Sequence, residues 1–396
     1  MHIERLYAER FRNLGDGEGG GLAWWPHRHF NVLVGDNGAG KTNVLEAVAV
    51  LAGLRSFRTP RLPECVVFGA TRAVLGARVV RHGVAVDLGV EVGAGARRLF
   101  LDGKPAASAA QFLGRLVAVP FTPDDLRLPT DAPEARRRWL DRAAFHHEPA
   151  HLDAVRAFDR ALLSRNALLK AAPRTGVDGA ALDAFDAVLA RTGAQVAVRR
   201  AAVLDRLRPL LQDVFGRIAA SDLRIDVHLT VRGCDPAAYA DVASATTSLA
   251  SALRQRRDRD AQVGSTTRGP HRDDVQWTLQ GRSAALHASQ GQCRALVLAL
   301  KIAEIRSLEA ALGEAPVLLL DDVSSELDAA RNRALMTYLD ELGGQVIVST
   351  PQAASLAILA PRQVFHIAAG QVSPGAVWQR PAPAAPVQPP LGVTDK

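Results

Sequence analysis

Cysteine is scarce in this chain. Its three copies, Cys65, Cys234 and Cys293, lie far apart and form no Cys-x-x-Cys pair, so neither a disulfide framework nor a zinc site is indicated and the usage fits a reducing compartment. Aromatic residues make up 5% of the sequence and few flank its arginines. Stacking on bases is therefore a minor mode of any nucleic-acid contact, and contact with the backbone is the expected one. No run approaches the ~20 apolar residues of a membrane span. The start, Met1-His2-Ile3-Glu4-Arg5-Leu6, alternates polar with apolar instead of opening a signal-peptide core. A membrane partner is not expected, and the cytoplasm is the expected location. What the chain does have is size and positive charge. Its 396 residues can bury a large core in two lobes. A net charge of +7 and a pI near 9.8 point toward a polyanionic partner, although an arginine-rich proteome gives the same balance without one.

The most informative segment runs strand, glycine-rich turn, helix: His29 to Val34, then Gly35-Asp36-Asn37-Gly38-Ala39-Gly40-Lys41-Thr42, then Asn43 to Val48. Glycines let a backbone wrap closely around a triphosphate, so that successive N–H groups and the positive end of the new helix face the β-phosphate. Lys41 would reach the β- and γ-phosphates, and the Thr42 hydroxyl would bind Mg²⁺. A glycine-rich turn that merely precedes a helix explains neither the Lys-Thr pair nor the apolar run feeding it.

Far along the chain, Val317-Leu318-Leu319-Leu320 runs into Asp321-Asp322. A wholly apolar run reads as a central strand buried on both faces. The two carboxylates at its end suit Mg²⁺, with Asp321 holding the metal through water and Asp322 polarising an attacking water. Ser325-Glu326-Leu327-Asp328 follows at once. Upstream, Ala288-Ser289-Gln290-Gly291-Gln292 opens a helical stretch from Cys293 to Ala311 and resembles the Ser-x-Gly-Gln signature of ABC-type ATPases. Ser289 is also a good helix N-cap. The two roles are compatible, because a helix N-terminus with a hydroxyl is what a γ-phosphate from another subunit requires.

The pattern between these motifs gives an α/β chain, an ABC-type P-loop ATPase head (lobe I) interrupted by a compact, mainly helical lobe II. Strand-like alternation at Ile3 to Tyr7 precedes the phosphate loop. Val74–Val80, Val84–Val92 and Arg97–Leu101 read as a meander punctuated by His82-Gly83 and Gly93-Ala94-Gly95. Apolar stripes at Leu152 to Leu162, Leu182 to Val196 and Leu204 to Ile218 predict three helices, with Pro209 starting or kinking the last. An alternating strand at Leu223 to Val231 and a helix around Leu249 and Leu253 follow. The expected division is 1–125 for the first part of the head, 126–262 for the inserted lobe, 263–379 for the rest of the head, with Trp277 back in it, and 380–396 for a disordered tail rich in proline.

With these motifs the chain resembles the RecF family, short-armed relatives of the SMC-type ATPases. Phe11-Arg12-Asn13, Phe121 to Leu126, Arg136-Arg137 with Asp141, and Gly269-Pro270-His271-Arg272-Asp273-Asp274 carry the resemblance over nearly the whole chain. The absence of a sustained heptad pattern separates it from true SMC proteins. The resemblance implies an ATP- and Mg²⁺-dependent homodimer on DNA, in which the signature of one head closes on the phosphate loop of the other. It also implies slow hydrolysis, action at single-strand gaps and stalled forks on single- and double-stranded DNA, and work with RecO and RecR in recombinase loading. Arg12 and Asn13 would sit beside the nucleotide. Arg136, Arg137 and Arg138, the pair Arg199 and Arg200, and the cluster Arg254, Arg256, Arg257 and Arg259 are the candidate DNA contacts, with Arg136, Arg137, Arg199 and Arg200 foremost, although a charge run is as often a solvated face. Asp322 stands where transporter heads carry Glu, and Thr350 where they carry a switch His. The competing classes are the ATPase subunit of a membrane transporter and an SMC-like scaffold.

Overall fold

The computed structural model describes residues 1–15, 20–93, 95–175, 179–219, 223–322, 327–341, 343–351 and 362–375. The chain forms two compact units, Met1–Asp125 with Leu308–Lys396, and Leu126–Ser307.

The first unit is built on two six-stranded sheets. One is a meander in the order β2-β1-β4-β5-β6-β7, with β1 His2–Glu9, β2 Leu22–Trp24, β4 Arg72–Arg81, β5 Val84–Gly93, β6 Arg97–Leu101 and β7 Lys104–Pro105. The three-strand run expected from Val74 to Leu101 is β4, β5 and β6. His82 and Gly83 both have left-handed φ, 47° and 77°. That is the turn type whose twist matches the strands it joins. The other sheet runs β15-β14-β3-β13-β12-β8, with β3 Phe30–Val34, β8 Ala118–Phe121, β12 Val317–Asp321, β13 Val346–Thr350, β14 Arg362–Ala368 and β15 Gln371–Pro374. Strands β8, β12, β13, β3 and β14 are parallel, and β3, β12 and β13 are almost wholly buried, as continuous apolar strands in a parallel sheet should be. Gln345, buried, binds the two sheets: its side chain accepts from the Ile3 amide at 2.8 Å and donates to the carbonyls of Ile3 and His27 at 2.9 Å each. Helix α1, Lys41–Gly53, is buried along most of its length, and a one-turn α2, Ala109–Phe112, precedes β8.

The second unit comprises α3 Pro133–His147, α4 His151–Thr175, α5 Gly179–Ala219, α6 Val242–Gln255, α7 Arg257–Val263 and α8 Ala284–His287, the first five turns of α9, Gln290–Leu312, and a small sheet of β9 Ile225–Thr230, β10 Asp274–Leu279 and β11 Arg282–Ser283 in the order β11-β10-β9. The two helices expected at Leu182 and Leu204 are one, α5, with Pro209 inside it. A proline in mid-helix costs about 3 kcal/mol, but Val203, Leu204, Leu207, Leu211, Val214 and Phe215 are all buried around it, each contributing about 1.5–3 kcal/mol. Burial therefore overrides local propensity.

The division expected at residue 263 is corrected. The inserted unit begins where expected but runs to Ser307. β10, Asp274–Leu279, pairs antiparallel with β9, Ile225–Thr230, setting Trp277 opposite Val227, and Val275 and Trp277 are buried there. Trp277 and the segment opening α9 thus belong to the second unit. The expected tail at 380–396 lies outside the described residues. Among the described residues no helix is long and apolar enough to cross a membrane.

Candidate nucleotide site

Strand β3 delivers the phosphate loop between its parallel neighbours β13 and β14, with Val34 level with Thr350 and His366. The glycines are sterically demanded. A Cβ on Gly35 would meet the Ile367 carbonyl oxygen at 2.3 Å, and Gly40, at φ 113°, would bring one within 2.8 Å of Asn13 Oδ1. Gly40 is the N-cap of α1 and no side chain caps that end, which directs the helix N-terminus into the loop. Lys41 is buried, and its ammonium donates to the carbonyls of Gly35 at 2.6 Å and Asp36 at 2.9 Å. The cation therefore points into the curve of the loop.

The acidic strand meets this loop directly. Thr42 Oγ1 and Ser349 Oγ each donate to Asp321 Oδ1 at 2.7 Å, so two hydroxyls and a carboxylate converge from α1, β13 and β12. Hard oxygen donors of this kind suit Mg²⁺, which takes one or two protein ligands and completes its shell with phosphate and water. The residues therefore fit Mg·ATP. Asp322 has φ 49°, a left-handed conformation that Asp tolerates better than most residues, and its amide donates to the Ser349 carbonyl and hydroxyl at 3.1 Å. This turn ends the strand, so Asp322 leaves the pleat that places Asp321.

Phe11-Arg12-Asn13 divides its work. Asn13 Nδ2 donates to the Gly38 carbonyl at 3.1 Å, and Asn13 Oδ1 accepts from Asn43 Nδ2 at 2.7 Å, so Asn13 touches the loop. Arg12 does not: its Nε and Nη2 lie on the Glu46 carboxylate at 3.1 and 2.8 Å, and its Nη1 on the Glu64 carbonyl at 3.0 Å. Glu46, on α1, is fully buried and also accepts from Ser56 and Arg58. Burial pushes its carboxyl upward, yet the bonds from Arg12 and Ser56 hold it below the usual range. Burial, with Glu46 beside it, pushes the Cys65 thiol up to about 12. Asn43, Arg58 and Ser349 were not singled out from the sequence. Asn43 sits one residue past the Lys-Thr pair, the only local signal for any of the three.

At the signature, Ser289 Oγ accepts from the Gln292 amide at 3.2 Å while Gln292 Oε1 accepts from the Ser289 amide at 2.8 Å. This reciprocal pair is a capping box. Ser289 and Gln290 are exposed, and Gly291 and Gln292 half-buried. Of Ser325 to Asp328, the first two lie outside the described residues. Leu327 is buried, and Asp328 Oδ1 accepts from the Arg331 amide at 2.9 Å, at the start of α10, Ala329–Glu341.

Two of the four foremost candidate DNA arginines, Arg136 and Arg200, are corrected, whereas Arg137 and Arg199 are half-buried. Arg136 is buried and bidentate on Asp274 at 2.7 and 2.8 Å. Arg200 is buried and bidentate on Asp141 at 2.8 Å, with its Nη1 on the Pro270 carbonyl at 2.7 Å. Arg137 donates to the Asp273 carbonyl at 2.9 Å, and Arg199 pairs with Glu148 at 2.6 Å. Asp273 is buried, accepts from the Tyr239 hydroxyl at 3.2 Å, and is pushed up to about 6 by burial. The Arg-Arg and Gly-Pro-His-Arg-Asp-Asp elements are therefore two halves of one internal lock. Arg136 and Arg200, buried on carboxylate partners, hold the second unit together and are not available to phosphate.

A parallel sheet carrying a phosphate loop beside an acidic strand, with an interposed helical unit that ends in a capped Ser-x-Gly-Gln helix, defines an ABC-type P-loop ATPase head. Residues 2–369 match the RecF/RecN/SMC N terminal domain. The DNA replication and repair protein RecF of Myxococcus xanthus (strain DK1622) is 44% identical over 363 residues, covering 88% of this chain and 90% of the relative. The chain belongs to the RecF family. A second relative, RecF of Anaeromyxobacter sp. (strain K), is 42% identical over 94% of this chain and 99% of its own length. Among solved structures, the recombination mediator protein RecF with ATP, of the RecFOR pathway, superposes with a TM-score of 0.85 at 27% identity, over 95% of this chain and 98% of the other. The Smc head bound to the C-winged helix domain of ScpA shares the fold, with a TM-score of 0.51 at 14% identity, over 94% of this chain and 96% of the other.

Proposed function

We propose that this chain is an ATP-dependent DNA-binding protein of recombinational repair and replication-fork maintenance, and a slow ATPase working in the cytoplasm. The observation that carries the reading is the convergence of Thr42, Asp321 and Ser349 beside Lys41. In this reading Gly35 to Thr42 wrap the phosphates, Lys41 balances the β- and γ-phosphate charge, and Thr42 with Asp321 holds Mg²⁺. The metal, when bound, would neutralise charge that develops on the transferred phosphoryl group. Asp322 orients and polarises the attacking water, Asn13 steadies the loop through the Gly38 carbonyl, and Arg12 positions the Asn13 turn by anchoring to Glu46. A base one methylene shorter than Glu, and Thr350 in place of a histidine, support slow turnover.

The exposed Ser289 and Gln290 at a capped helix start support a signature that acts in trans on the partner's γ-phosphate, with Ser325 to Asp328 at the same interface. The active form is then an ATP-bridged homodimer that holds DNA through its phosphates at gaps and single-/double-strand junctions, and that works with RecR and RecO in loading recombinase. A transporter subunit shares the loop and acidic strand, but the relatives and the RecF–ATP likeness favour the repair reading.

An ATP-dependent gel shift on gapped DNA at moderate salt tests it. The wild type should shift DNA with ATP, Ser289→Arg should bind ATP as a monomer without shifting DNA, and an ATP-independent shift would refute the proposal.

A further inference from the structure

From Ala295 to Ile305 the helix that begins at the signature is buried on all sides. Ala295 through Leu300, Ile302, Ala303, Ile305 and Leu308 are all nearly inaccessible. A helix that is apolar all round has no stripe to tell its neighbours which face is which. Its apolar packing alone fixes its axis better than its rotation about that axis. The exception is a polar row at three-residue spacing, Lys301, Glu304 and Ser307, each at most 5% exposed. Residues three apart share a helix face, and this face meets α3. Trp139 Nε1 donates to Glu304 Oε2 at 3.4 Å, His146 Nδ1 lies 3.6 Å from Glu304 Oε1, and Ser307 Oγ is 3.2 Å from His147 Nε2. Lys301 Nζ is 3.8 Å from Glu304. Burial pushes Glu304 upward, but Lys301, His146 and Arg142 outweigh it and hold the carboxyl at about 2. α3 is itself pinned by Arg136 on Asp274 and Arg137 on the Asp273 carbonyl.

We infer that Glu304 is a positioning residue for the composite ATP site: with Lys301 and Ser307 it sets the rotation of α9 against α3 and so the direction in which Ser289 to Gln292 face. A single buried polar group that selects one packing register among near-equals is the best-attested use of such groups. The inference rests on the proposal that the signature acts in trans. It adds a residue four turns from Ser289, in the helix interior, that touches no nucleotide.

The test is complementation between subunits. The double variant Lys301→Met/Glu304→Leu removes both charges of the row together, which is the change such pairs tolerate best; Glu304→Gln, which keeps shape and the acceptor for Trp139, is run beside it in case the double variant does not fold. Each folded variant should bind fluorescent ATP as the wild type does, because its phosphate loop is intact, yet lose at least tenfold in ATP-dependent dimerisation and hydrolysis. Mixed with Lys41→Ala, whose signature is intact, it should regain up to about half the wild-type turnover, since one of the two composite sites in each mixed dimer is then whole. Dimerisation and hydrolysis at the wild-type level in the variants overturn the inference. So does a defect that Lys41→Ala fails to rescue while Ser289→Arg is rescued. If Ser289→Arg is not rescued either, the trans reading itself fails.

Discussion

Arg200→Ala separates a structural arginine from a DNA-binding one. Arg200 lies in the interior of the second unit and gives Nε and Nη2 to Asp141 at 2.8 Å each and Nη1 to the Pro270 carbonyl at 2.7 Å. Truncation leaves the half-buried Asp141 with His151 as its remaining partner at 2.8 Å and strips a carbonyl of its donor. Breaking a buried pair from one side costs about 3–5 kcal/mol. At about 2–4 °C per kcal/mol for a unit of this size, the midpoint of the second unit should fall by about 6–20 °C. The loss has a pH signature. Burial pushes the Asp141 carboxyl up, but Arg200 and His151 hold it well below the usual range. A folded value below the unfolded one gives stability that is present above about pH 4 and lost as pH falls through the folded value. The gap between wild type and variant should therefore narrow in acid. Calorimetry across pH 3–7 reads both effects, and DNA affinity measured well below the transition should change less than twofold. Replacing the pair together, Asp141→Leu with Arg200→Met, should recover most of the midpoint. An unshifted midpoint together with weakened DNA binding would refute the argument and return Arg200 to a DNA surface.

Lys41→Ala removes the cation held in the loop, so ATP affinity should fall and hydrolysis vanish; a nucleotide titration with wild-type affinity and normal turnover would overturn the assignment. Asp322→Asn keeps the left-handed turn, which Asn also tolerates, but removes the charge. Light scattering should then find a long-lived ATP dimer, and rapid turnover would place the base elsewhere. Asp273, raised by burial to about 6, keeps its proton when folded at pH values where the unfolded chain has lost it. Stability should fall as pH rises from about 4 to about 6, by at most about 3 kcal/mol, and Asp273→Asn should flatten that fall. Urea unfolding at pH 4, 5 and 7 checks it, and an equally steep decline in the variant would count against a buried Asp273.

The nucleotide half of the molecule was legible because its chemistry confines residue types to short segments. Gly35 to Thr42 and Leu320 to Asp322 each state their surroundings locally, and His82-Gly83 marks its own turn. What stayed hidden depends on partners remote in sequence. Arg136 and Arg200 look like solvated charge until Asp274, 138 residues on, and Asp141, 59 residues back, are seen against them. Trp277 carries nothing that tells which sheet will receive β10; the deciding fact is its pairing with Val227. Ser349 is an ordinary small residue in a buried strand, and only the approach of β12 to β13 turns its hydroxyl toward Asp321.

The sheet order of the first unit has a consequence for synthesis. Strand β3, which carries the phosphate loop, is flanked on both sides by strands that leave the ribosome about 300 residues later. At roughly 5–20 residues per second, translation keeps this apolar strand waiting for about 15–60 s. Throughout that interval the Asp321 and Ser349 partners of the loop do not yet exist. A chain interrupted between Thr42 and β13 would therefore carry the whole glycine loop and still have no complete pocket to close around a triphosphate. Messenger damage or premature termination then yields fragments that cannot compete with the finished protein for nucleotide, and whose unpaired strand edges expose them to chaperones and proteases.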